Sequence, residues 1–387
     1  MINFIYHNPT KIIFGKDQIE ALRTELLPYQ GQSILLVYGK ESIKKIGVYK
    51  ILIKIFKDLK IKHFEESDVR ANPSIESVIS GRKTIIEQDI KFVLAAGGGS
   101  VIDAAKAIAF SPFVDEDKVW DVFLRKTDAS EALPLGVVLT LAATGSEANG
   151  NTVITNDKTN EKRAVAYPFI FPRFAIIDPS YTMHVEKHFV IAGCIDIVMH
   201  VFEQFFSNTQ RTETSDYMSM GIVKSVFENC DRYLRGYDSY ETRANISWAA
   251  TIGLNWILAQ GKVGDWASHR LSYPITQFYG TTHGYALSTI YPAWLKTTLK
   301  HNPITMKQRL TFLGRELFNE QDPEKVIDAI QALLRSWGAP TSFEEAGIQL
   351  DDASLEKLVS NALALGNVGT VVSIDKPIAR ELFERAK

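Results

Sequence analysis

Two histidines in one short stretch are the first residues of this sequence that could do chemistry. The stretch GDWASHRLSYPITQFYGTTHG (264–284) contains His269 and His283, two of the eight histidines in the chain. His283 precedes a glycine, and such a position suits a site where a ligand approaches the backbone closely. The sequence YGTT separates the two histidines, so a shared helix is not predicted. They could bind a ligand together, or they could be ordinary histidines of a polar loop.

A carboxylate and an imidazole at helical spacing form a second candidate pair. In IAGCIDIVMHVFEQFF (191–206), Asp196 and His200 are four residues apart, so a helix places them on one face. Such a pair can chelate one divalent metal ion. Glu203 and Gln204 continue this face, which leaves open that it is the solvated side of an amphipathic helix. Combined with the first pair, the donors suit zinc, ferrous iron or a similar ion: Asp196, His200, His269 and His283.

A glycine-rich segment between a predicted strand and a predicted helix could hold a pyrophosphate. LAAGGGSVIDAAK (94–106) contains Gly97, Gly98, Gly99 and Ser100. Glycines allow close backbone approach, and the helix that follows offers free N–H groups and a favourable dipole to an anion. The segment does not match the G-x-G-x-x-G pattern, because Ile102 stands at the place of the last glycine. A tight strand-to-helix turn without a ligand is the alternative.

A second loop of small polar residues follows another predicted strand. TLAATGSEANGN (140–151) contains Thr140, Thr144 and Ser146. Ligands of open α/β sheets bind at the carboxyl ends of parallel strands, where such a loop would lie. The alternative is that Ser146 only caps a helix that begins near Glu147.

The elements that must position these residues change character along the chain. Short apolar runs that predict strands occur at 33–39, 91–100, 133–143 and 173–180, separated by amphipathic stretches. Runs this continuous predict a parallel sheet covered on both faces. After about residue 185 helical periodicity takes over, at 189–206, 215–234 and 242–261. We therefore predict an α/β domain over residues 1–182 and an all-helical domain over residues 183–387, with Asp178-Pro179 close to the boundary.

Composition narrows the classes of function. The 387 residues carry a net charge of −2, and 45% of them are hydrophobic, which is ordinary for a globular protein. A protein that binds nucleic acid or a membrane surface usually has a basic patch, and none is evident here. The two cysteines have no C-x-x-C pattern, and no apolar run reaches the roughly 18 residues of a membrane span. We expect a cytoplasmic protein with no membrane or nucleic-acid partner.

These motifs in this order resemble those of the iron-containing (group III) alcohol dehydrogenases, and most closely their butanol-dehydrogenase-like branch. The motifs that carry the resemblance are GGGSVIDAAKAIA, TLAATGSEAN, DIVMH and the spacing of the two histidines considered first. The resemblance runs from NPTKIIFGK (8–16) to SIDKPIARELFERA (373–386). It implies a dinucleotide-binding α/β domain followed by a helical domain, with the active site in the cleft between them. Dehydroquinate synthase shares this architecture.

The resemblance also implies roles for individual residues. One divalent metal, Fe²⁺ or Zn²⁺ with Co²⁺ or Mn²⁺ as further candidates, would be bound by Asp196, His200, His269 and His283. The pyrophosphate would be held by Gly97, Gly98, Gly99 and Ser100, with Asp103 fixing the helix that follows. Further contacts to the cofactor would come from Gly39, Lys40, Ser42, Asn72, Thr140, Thr144, Ser146 and Lys162.

The implied reaction is hydride transfer between NAD(P)(H) and a short- to medium-chain alcohol or aldehyde of the butanol and butanal kind. The metal would act as a Lewis acid on the substrate oxygen, and carbon 4 of the nicotinamide would give or accept the hydride. Members of the family are often dimers, so we expect a homodimer. A lyase resembling dehydroquinate synthase is the alternative, but it must grip a polyanion, and the stretch around the two histidines offers mainly Arg270. A cofactor-binding protein without metal or turnover is a third possibility.

The sequence departs from relatives of this branch at two places. Relatives commonly have a second histidine four residues after His269, near the substrate, where this chain has Tyr273. We expect Tyr273 to take a catalytic role beside His269, with its hydroxyl reaching the substrate. The second departure is VYGKESIKK (37–45), where relatives often read YGGGSIKK. Gly39 replaces a carboxylate that excludes the NADP 2′-phosphate in some relatives, and Lys40 and Ser42 lie nearby, so NADP(H) is favoured over NAD(H) although Glu41 opposes it.

Overall fold

The computed structural model describes all 387 residues, which form two compact units. The sheet unit comprises residues 7–185 and 238–251, and the helical unit comprises residues 1–6, 186–237 and 252–387. The predicted division after residue 182 treats each domain as one continuous piece. In the structure, by contrast, each unit takes one segment from the other side of that division, namely residues 1–6 and 238–251.

The sheet unit contains all eight strands of the chain. The strands are β1 (Lys11–Phe14), β2 (Ser33–Tyr38), β3 (Lys62–Glu66), β4 (Phe92–Gly97), β5 (Leu135–Leu139), β6 (Asn151–Asn156), β7 (Glu161–Ala166) and β8 (Phe174–Ile177). The helices among them are α1 (Leu22–Leu26), α2 (Ser42–Lys45), α3 (Val48–Asp58), α4 (Ile75–Glu87), α5 (Gly99–Phe110) and α6 (Val119–Phe123). Six strands form a parallel sheet in the order β1-β8-β5-β4-β2-β3, and β6 pairs with β7 in a separate antiparallel hairpin.

The central strands are apolar throughout because both of their faces are buried. Along β2, Leu35 and Val37 pack into one hydrophobic cluster, whereas Ile34 and Leu36 pack into the other. One cluster includes side chains of α4, α5 and α6, and the other includes side chains of α1, α2 and α3. Helices on both faces are the arrangement that continuous apolar strands require. The predicted α/β fold with a parallel sheet is therefore confirmed.

The direction of the chain reverses at one point of this sheet. The chain runs from β2 outward to β3, returns past β2 to β4, and continues to β5 on the other side. The carboxyl ends of β2 and β4 therefore flank the position where the strand order reverses. In open α/β sheets this is the position where ligands bind.

Four strands were not among those predicted from the sequence. β1 and β3 form the two edges of the sheet and are less buried than the central strands, so their sequences KIIF and KHFEE show no long apolar run. β6 and β7 form a hairpin in which polar residues such as Thr152, Thr155 and Lys162 are buried. Hydrophobic pattern alone therefore does not identify these strands.

The rest of the chain is helical, as predicted. The helices are α7 (Lys187–Phe205), α8 (Glu213–Leu234), α9 (Tyr240–Gly253), α10 (Ala267–Tyr279), α11 (His283–His301), α12 (Pro303–Phe318), α13 (Pro323–Ser336), α14 (Asp352–Ala362) and α15 (Lys376–Arg385). Residues 240–251 of α9 belong to the sheet unit, and the other helices belong to the helical unit. The helix predicted over 242–261 ends at Gly253, since Trp256 has a left-handed φ of 72° that no α-helix accommodates.

The apolar helix α7 is buried within the helical unit. It is the one helix that could cross a membrane by length and composition, but 89% of its most apolar window is buried inside the protein. Its hydropathy is thus accounted for by burial. α11 packs against both α7 and α10. Gly284 permits this approach, because a Cβ at that position would overlap the carbonyl group of Ala192 on α7.

Candidate functional site

A buried carboxylate surrounded by three imidazoles is the main polar feature of the helical unit. Asp196 Oδ1 lies 3.7 Å from Nε2 of His200, 3.7 Å from Nε2 of His269 and 3.6 Å from Nε2 of His283. Asp196 and His200 are one turn apart on α7, His269 is near the start of α10, and His283 is the first residue of α11. The structure therefore brings the two predicted pairs together.

The distances in this cluster fit a shared metal ion better than they fit hydrogen bonds. A hydrogen bond between nitrogen and oxygen is normally about 2.7 to 3.2 Å long. Atoms bound tetrahedrally to one ion at about 2.1 Å are about 3.4 Å apart. Asp196 Oδ1 and His269 Nε2 are buried and make no hydrogen bond. Ligand atoms of Asp196, His200 and His269 all lie within 4.8 Å of one another, so this group could hold a metal ion.

The protonation states of Asp196 and His200 also favour a cation. Burial alone raises the pKa of the Asp196 carboxyl, but the charges of the three histidines outweigh burial and bring that pKa below its usual range. Burial lowers the pKa of His200 to about 4, against the attraction of Asp196. At neutral pH Asp196 is thus ionised and His200 neutral, which are the forms of these two groups that bind metals. Burial alone would lower the pKa of His269, but the carboxylates of Asp196 and Glu203 outweigh burial and raise that pKa to about 9, so a metal bound there would displace a proton.

Glu203 supports the cluster from behind, a role that the sequence did not predict. Glu203 Oε1 accepts hydrogen bonds from Nδ1 of His269 (2.9 Å), from the backbone N–H of His269 (2.9 Å) and from Ser268 Oγ (2.7 Å). With Nδ1 engaged, Nε2 of His269 faces Asp196. A carboxylate on the far nitrogen fixes the tautomer and orientation of a metal-binding histidine.

The interpretation of this helix face as a solvated side is wrong. Glu203 and Gln204 are 1% and 0% exposed, and Gln204 Nε2 donates to the carbonyl oxygens of His200 (2.8 Å) and Gly253 (2.6 Å). The polar residues of α7 face other helices and not water. The sequence does contain a signal for this burial: the polar residues form one stripe on a helix whose other sides are all apolar, and such a helix is usually buried.

Tyr273 lies one helical turn after His269 on α10. Its ring centroid is 6.2 Å from that of His283, and the two planes make an angle of 40°. Tyr273 thus stands at the edge of the histidine cluster. The phenol and imidazole are close enough for both to contact one small molecule.

The predicted cofactor residues follow the carboxyl ends of neighbouring parallel strands. Gly97 ends β4, Gly98 precedes α5, and Thr140 follows β5, with its N–H donating to the carbonyl oxygen of Gly97 (3.0 Å). A Cβ on Gly99 would overlap the side chain of Thr144, so the two loops pack directly on each other. The 12-residue helix α5 directs its free N–H groups toward this loop. A bound anion would find backbone N–H donors there.

The segment after β2 flanks the same edge of the sheet. A Cβ on Gly39 would lie 2.9 Å from the carbonyl oxygen of Val69, so this position requires glycine. Ser42 Oγ donates to the carbonyl oxygen of Gly39 (3.3 Å), and Lys40 Nζ lies 3.9 Å from Asp68 Oδ1 with both side chains largely exposed. Lysine and serine are thus available to an anion here, together with one competing carboxylate.

Lys162 and Asn72 form a separate contact beside this segment. Lys162 Nζ donates to Asn72 Oδ1 over 2.8 Å, and the lysine side chain is almost fully buried. Asn72 adopts a left-handed φ of 56°, which asparagine tolerates better than most residues. The structure therefore pairs two of the predicted cofactor residues with each other.

A buried lysine that was not among the predicted site residues joins α5 to the loop that follows β5. Lys106 of α5 is fully buried, and its Nζ donates to Ser146 O (2.6 Å), Ser146 Oγ (2.8 Å), Asn149 Oδ1 (3.2 Å) and Asn151 O (2.8 Å). Burial lowers the pKa of Lys106 to about 8, opposed by the charges of Asp103 and Glu147, so the ammonium is still charged at neutral pH. A lysine within the apolar run VIDAAKAIAF was the available signal.

Asp103 completes the same network. Its Oδ1 accepts from Ser146 Oγ (2.8 Å) and its Oδ2 accepts from the N–H of Val153 (3.2 Å). Burial raises the pKa of Asp103 to about 6, although Lys106 and Ser146 oppose that shift. Ser146 begins a short 3₁₀ turn, and its hydroxyl binds Asp103 and Lys106 instead of capping an α-helix. α5 is therefore fastened to the loop that carries Ser146.

Comparison with known proteins connects both units to one family. Residues 9–179 match the family described as "Iron-containing alcohol dehydrogenase", and residues 190–385 match "Fe-containing alcohol dehydrogenase family, C-terminal". The chain is 39% identical to "Probable NADH-dependent butanol dehydrogenase 1" of Bacillus subtilis, over 97% of each chain. It is 32% identical to "NADPH-dependent aldehyde reductase YqhD" of Escherichia coli, over 100% of each chain. The crystal structure of "NADH-dependent butanol dehydrogenase A" from Thermotoga maritima superimposes with a TM-score of 0.93, at 34% identity, over 99% of this chain and 98% of that one.

Replacing Lys106 with methionine tests the buried network of the sheet unit. We expect Lys106→Met to lower the free energy of unfolding by about 3–5 kcal/mol, because Asp103 and the carbonyl groups of the loop lose their partner in a buried place. Urea unfolding followed by circular dichroism measures this change. Lys118→Met, at an exposed lysine, is the matched control and should change stability by less than about 0.5 kcal/mol. Equal stability of the two variants would contradict the assignment.

Replacing Glu203 with glutamine tests the support of the histidine cluster. Without the carboxylate, His269 loses the partner that fixes its tautomer, so we expect Glu203→Gln to bind a divalent metal about 10- to 100-fold more weakly. Competition with a chromogenic chelator measures the affinity. Glu384→Gln, at an exposed glutamate, serves as the control. An unchanged metal affinity in Glu203→Gln would show that this glutamate does not support the site.

Proposed function

Because the chain belongs to the iron-containing alcohol dehydrogenase family, we propose that it is a metal-dependent, NAD(P)(H)-linked alcohol dehydrogenase or aldehyde reductase. Its substrates in this proposal are short- to medium-chain alcohols and aldehydes such as butanol and butanal. The observation that carries the proposal is the buried carboxylate with three imidazole nitrogens 3.6 to 3.7 Å away. The names of relatives from Bacillus subtilis and Escherichia coli support the substrate class.

In this proposal four side chains bind one divalent metal, and they are Asp196, His200, His269 and His283. The metal is Fe²⁺ or Zn²⁺, and Co²⁺ or Mn²⁺ would also suit the donor set. A metal bound there supplies Lewis acidity toward the oxygen of the alcohol or aldehyde. Three of the four side chains are nearly inaccessible to water, at 3% exposure for Asp196 and 5% for His200 and His269. Dry surroundings strengthen the electrostatic interactions on which such a site depends.

We further propose that the loops at the carboxyl edge of the sheet bind the dinucleotide. Gly97, Gly98, Gly99 and Ser100 would present backbone N–H groups to the pyrophosphate, and Asp103 would hold α5 in place behind them. Thr140, Thr144, Ser146, Lys162 and Asn72 would contact the remainder of the cofactor. A bound nicotinamide gives or accepts the hydride, so these residues serve to fix the ring and its phosphates in position.

The proposed preference for NADP(H) depends on the segment after β2. The Lys40 ammonium and the Ser42 hydroxyl are available to a 2′-phosphate, and Gly39 carries no carboxylate that would repel it. Glu41 and Asp68 lie nearby and weaken this preference. The relatives are divided, since the Bacillus subtilis protein is named as NADH-dependent and the Escherichia coli protein as NADPH-dependent. We also propose, on the resemblance alone, a cytoplasmic homodimer.

Tyr273 is proposed as a catalytic residue together with His269. Its ring lies beside His283, and a phenol hydroxyl can donate a hydrogen bond to a substrate oxygen or relay a proton. In relatives with histidine at this position, the imidazole would take the same role in proton transfer, with a pKa lower than that of a phenol. The proposal therefore assigns the proton transfer to a side chain and the hydride transfer to the cofactor.

Removing and restoring the metal tests the proposed function. We expect chelator-treated enzyme to oxidise neither NADPH nor NADH with butanal, and one or more of Fe²⁺, Zn²⁺, Co²⁺ and Mn²⁺ to restore turnover. The same assay ranks the two cofactors and the four metals. Asp196→Asn loses the charged ligand, so we expect it to bind metal more than about 100-fold more weakly than the native enzyme. This loss exceeds the one expected for a residue such as Glu203 that only supports a ligand. If the protein is folded and binds NADPH but shows no turnover with any of the metals, the proposed dehydrogenase activity is refuted. A cofactor-binding protein without turnover would then be the remaining interpretation.

Substituting Tyr273 tests its proposed role. We expect Tyr273→Phe to lower kcat by about 100-fold or more, because the proton donor is lost while the ring remains. Tyr273→His should recover part of the activity, with a pH–rate profile moved toward the pKa of about 6.5 of an imidazole. Tyr279→Phe, on the same helix, is the matched control. The same turnover and the same pH profile in both Tyr273 variants would exclude the proposed role.

A further inference from the structure

Two tryptophans of the helical unit have a backbone conformation that is unusual for bulky residues. Twelve non-glycine residues of the chain have positive φ, and all but two of them are Asp, Asn, Lys or Arg. The two exceptions are Trp256, with φ of 72°, and Trp266, with φ of 64°. A large aromatic residue in the left-handed region is a true outlier, and such strain is retained mainly where the side chain serves a site.

The two indole rings lie together, and that of Trp266 lies against the histidine cluster. Their centroids are 5.5 Å apart, and the Trp266 centroid lies 5.6 Å from that of His269 and 6.4 Å from that of His200. Both tryptophans are partly exposed. Trp294 and Trp337, by comparison, are 1% and 2% exposed and belong to the hydrophobic core. The tryptophan pair therefore is not simple core filling, since it presents aromatic surface beside two of the proposed metal ligands.

Hydrogen bonds of the main chain hold both tryptophans in the strained conformation. The carbonyl oxygen of Trp256 accepts from Gln260 Nε2 (2.6 Å) and from the N–H of Ala259 (3.3 Å). The neighbours of Trp266 are fixed as well: the N–H of Asp265 donates to the carbonyl oxygen of Glu203 (2.8 Å), and Asp265 Oδ1 accepts from the N–H of Ala267 (3.1 Å). The orientation of the rings is thus set by the backbone on both sides.

We propose that Trp256 and Trp266 form one wall of the alcohol pocket and select substrates by their apolar chain. This inference rests on the proposed function. The faces of indole rings offer apolar contact, and Tyr273, next to His283, adds a third aromatic ring on another side of the cluster. Such a wall favours a primary alcohol or aldehyde with an unbranched alkyl chain or an aryl group over a polyol or an anionic substrate.

Substitution at Trp256 tests the wall with little risk to the fold. Trp256→Gly deletes the ring at a position whose φ glycine adopts freely, so the variant also relieves strain. The assay compares kcat/KM for ethanal, butanal, hexanal and benzaldehyde on the metal-loaded enzyme. In the native enzyme we expect kcat/KM to rise with chain length, and in Trp256→Gly the ratio of hexanal to ethanal should fall about tenfold. Trp256→Phe, which keeps an aromatic ring, should keep most of that ratio.

Asn319→Gly is the matched control for the change in backbone. Asn319 is also left-handed, with φ of 54°, but it follows α12, where no histidine of the cluster lies. Its variant should leave the ratio of hexanal to ethanal unchanged. If Trp256→Gly fails to fold, as judged by circular dichroism, Trp256→Asn also deletes the ring at a left-handed position and should show the same fall in the ratio.

Two results from the Trp256→Gly variant would overturn the inference. One is a ratio in Trp256→Gly equal to that of the native enzyme, and the other is an equal loss of kcat/KM for all four aldehydes. Either result is distinguishable from failure of the proposed function, because in that case the native, metal-loaded enzyme reduces none of the aldehydes. A native enzyme that turns over butanal without any preference for chain length would contradict the wall alone.

Discussion

One buried carboxylate that the protein leaves without a hydrogen-bond donor at its inner oxygen determines how the helical unit is built. Burying an anion is expensive unless a cation or several donors compensate it. Around Asp196 the chain places three imidazoles at distances too long for hydrogen bonds, and Oδ1 remains unsatisfied. Three helices have to converge for this, and Gly284 is what lets α11 approach α7 closely enough. A cation bound between these four side chains would compensate the carboxylate.

The sheet unit contains the opposite case, a buried charge that the protein compensates by itself. Lys106 makes four hydrogen bonds to one loop, and Asp103 on the same helix binds that loop too. A fully satisfied network of this kind fixes a geometry. It fastens the helix behind the glycine loop to the loop of Ser146, so the edge of the sheet is preformed. The hydrogen-bonded network of Lys106 and Asp103 thus accounts for a rigid loop, whereas the histidine cluster, with its unsatisfied carboxylate oxygen, is suited to binding a ligand.

The sequence predicted the parts of this structure that depend on local pattern, and missed those that depend on tertiary partners. The apolar strands β2, β4, β5 and β8 and the helical second half were predictable, because burial leaves a direct trace in hydropathy. The sequences of the edge strands β1 and β3 contain no long apolar run, because these strands are less buried. Whether Glu203 lies on a solvated face was left open, because helical spacing shows that residues share a face but not what covers it. Lys106 escaped notice for a related reason, since its acceptors lie some 40 residues away in the chain.

The positions where local rules fail lie close to the histidine cluster. Glycine inside a helix lowers helix stability by about 1 kcal/mol relative to alanine, yet Gly284 is the second residue of α11. A left-handed tryptophan is unfavourable too, and Trp256 ends the helical pattern that the sequence predicted to continue. Neither choice follows local propensity: Gly284 lets α11 approach α7 next to His283, and Trp256 packs against Trp266. In most of a protein, each residue suits the local conformation that it adopts. Residues that do not suit it indicate positions where function has been favoured over stability. By that argument the substrate side of the site should be sought at these exceptions, around the indole rings, and not along the regular faces of α7.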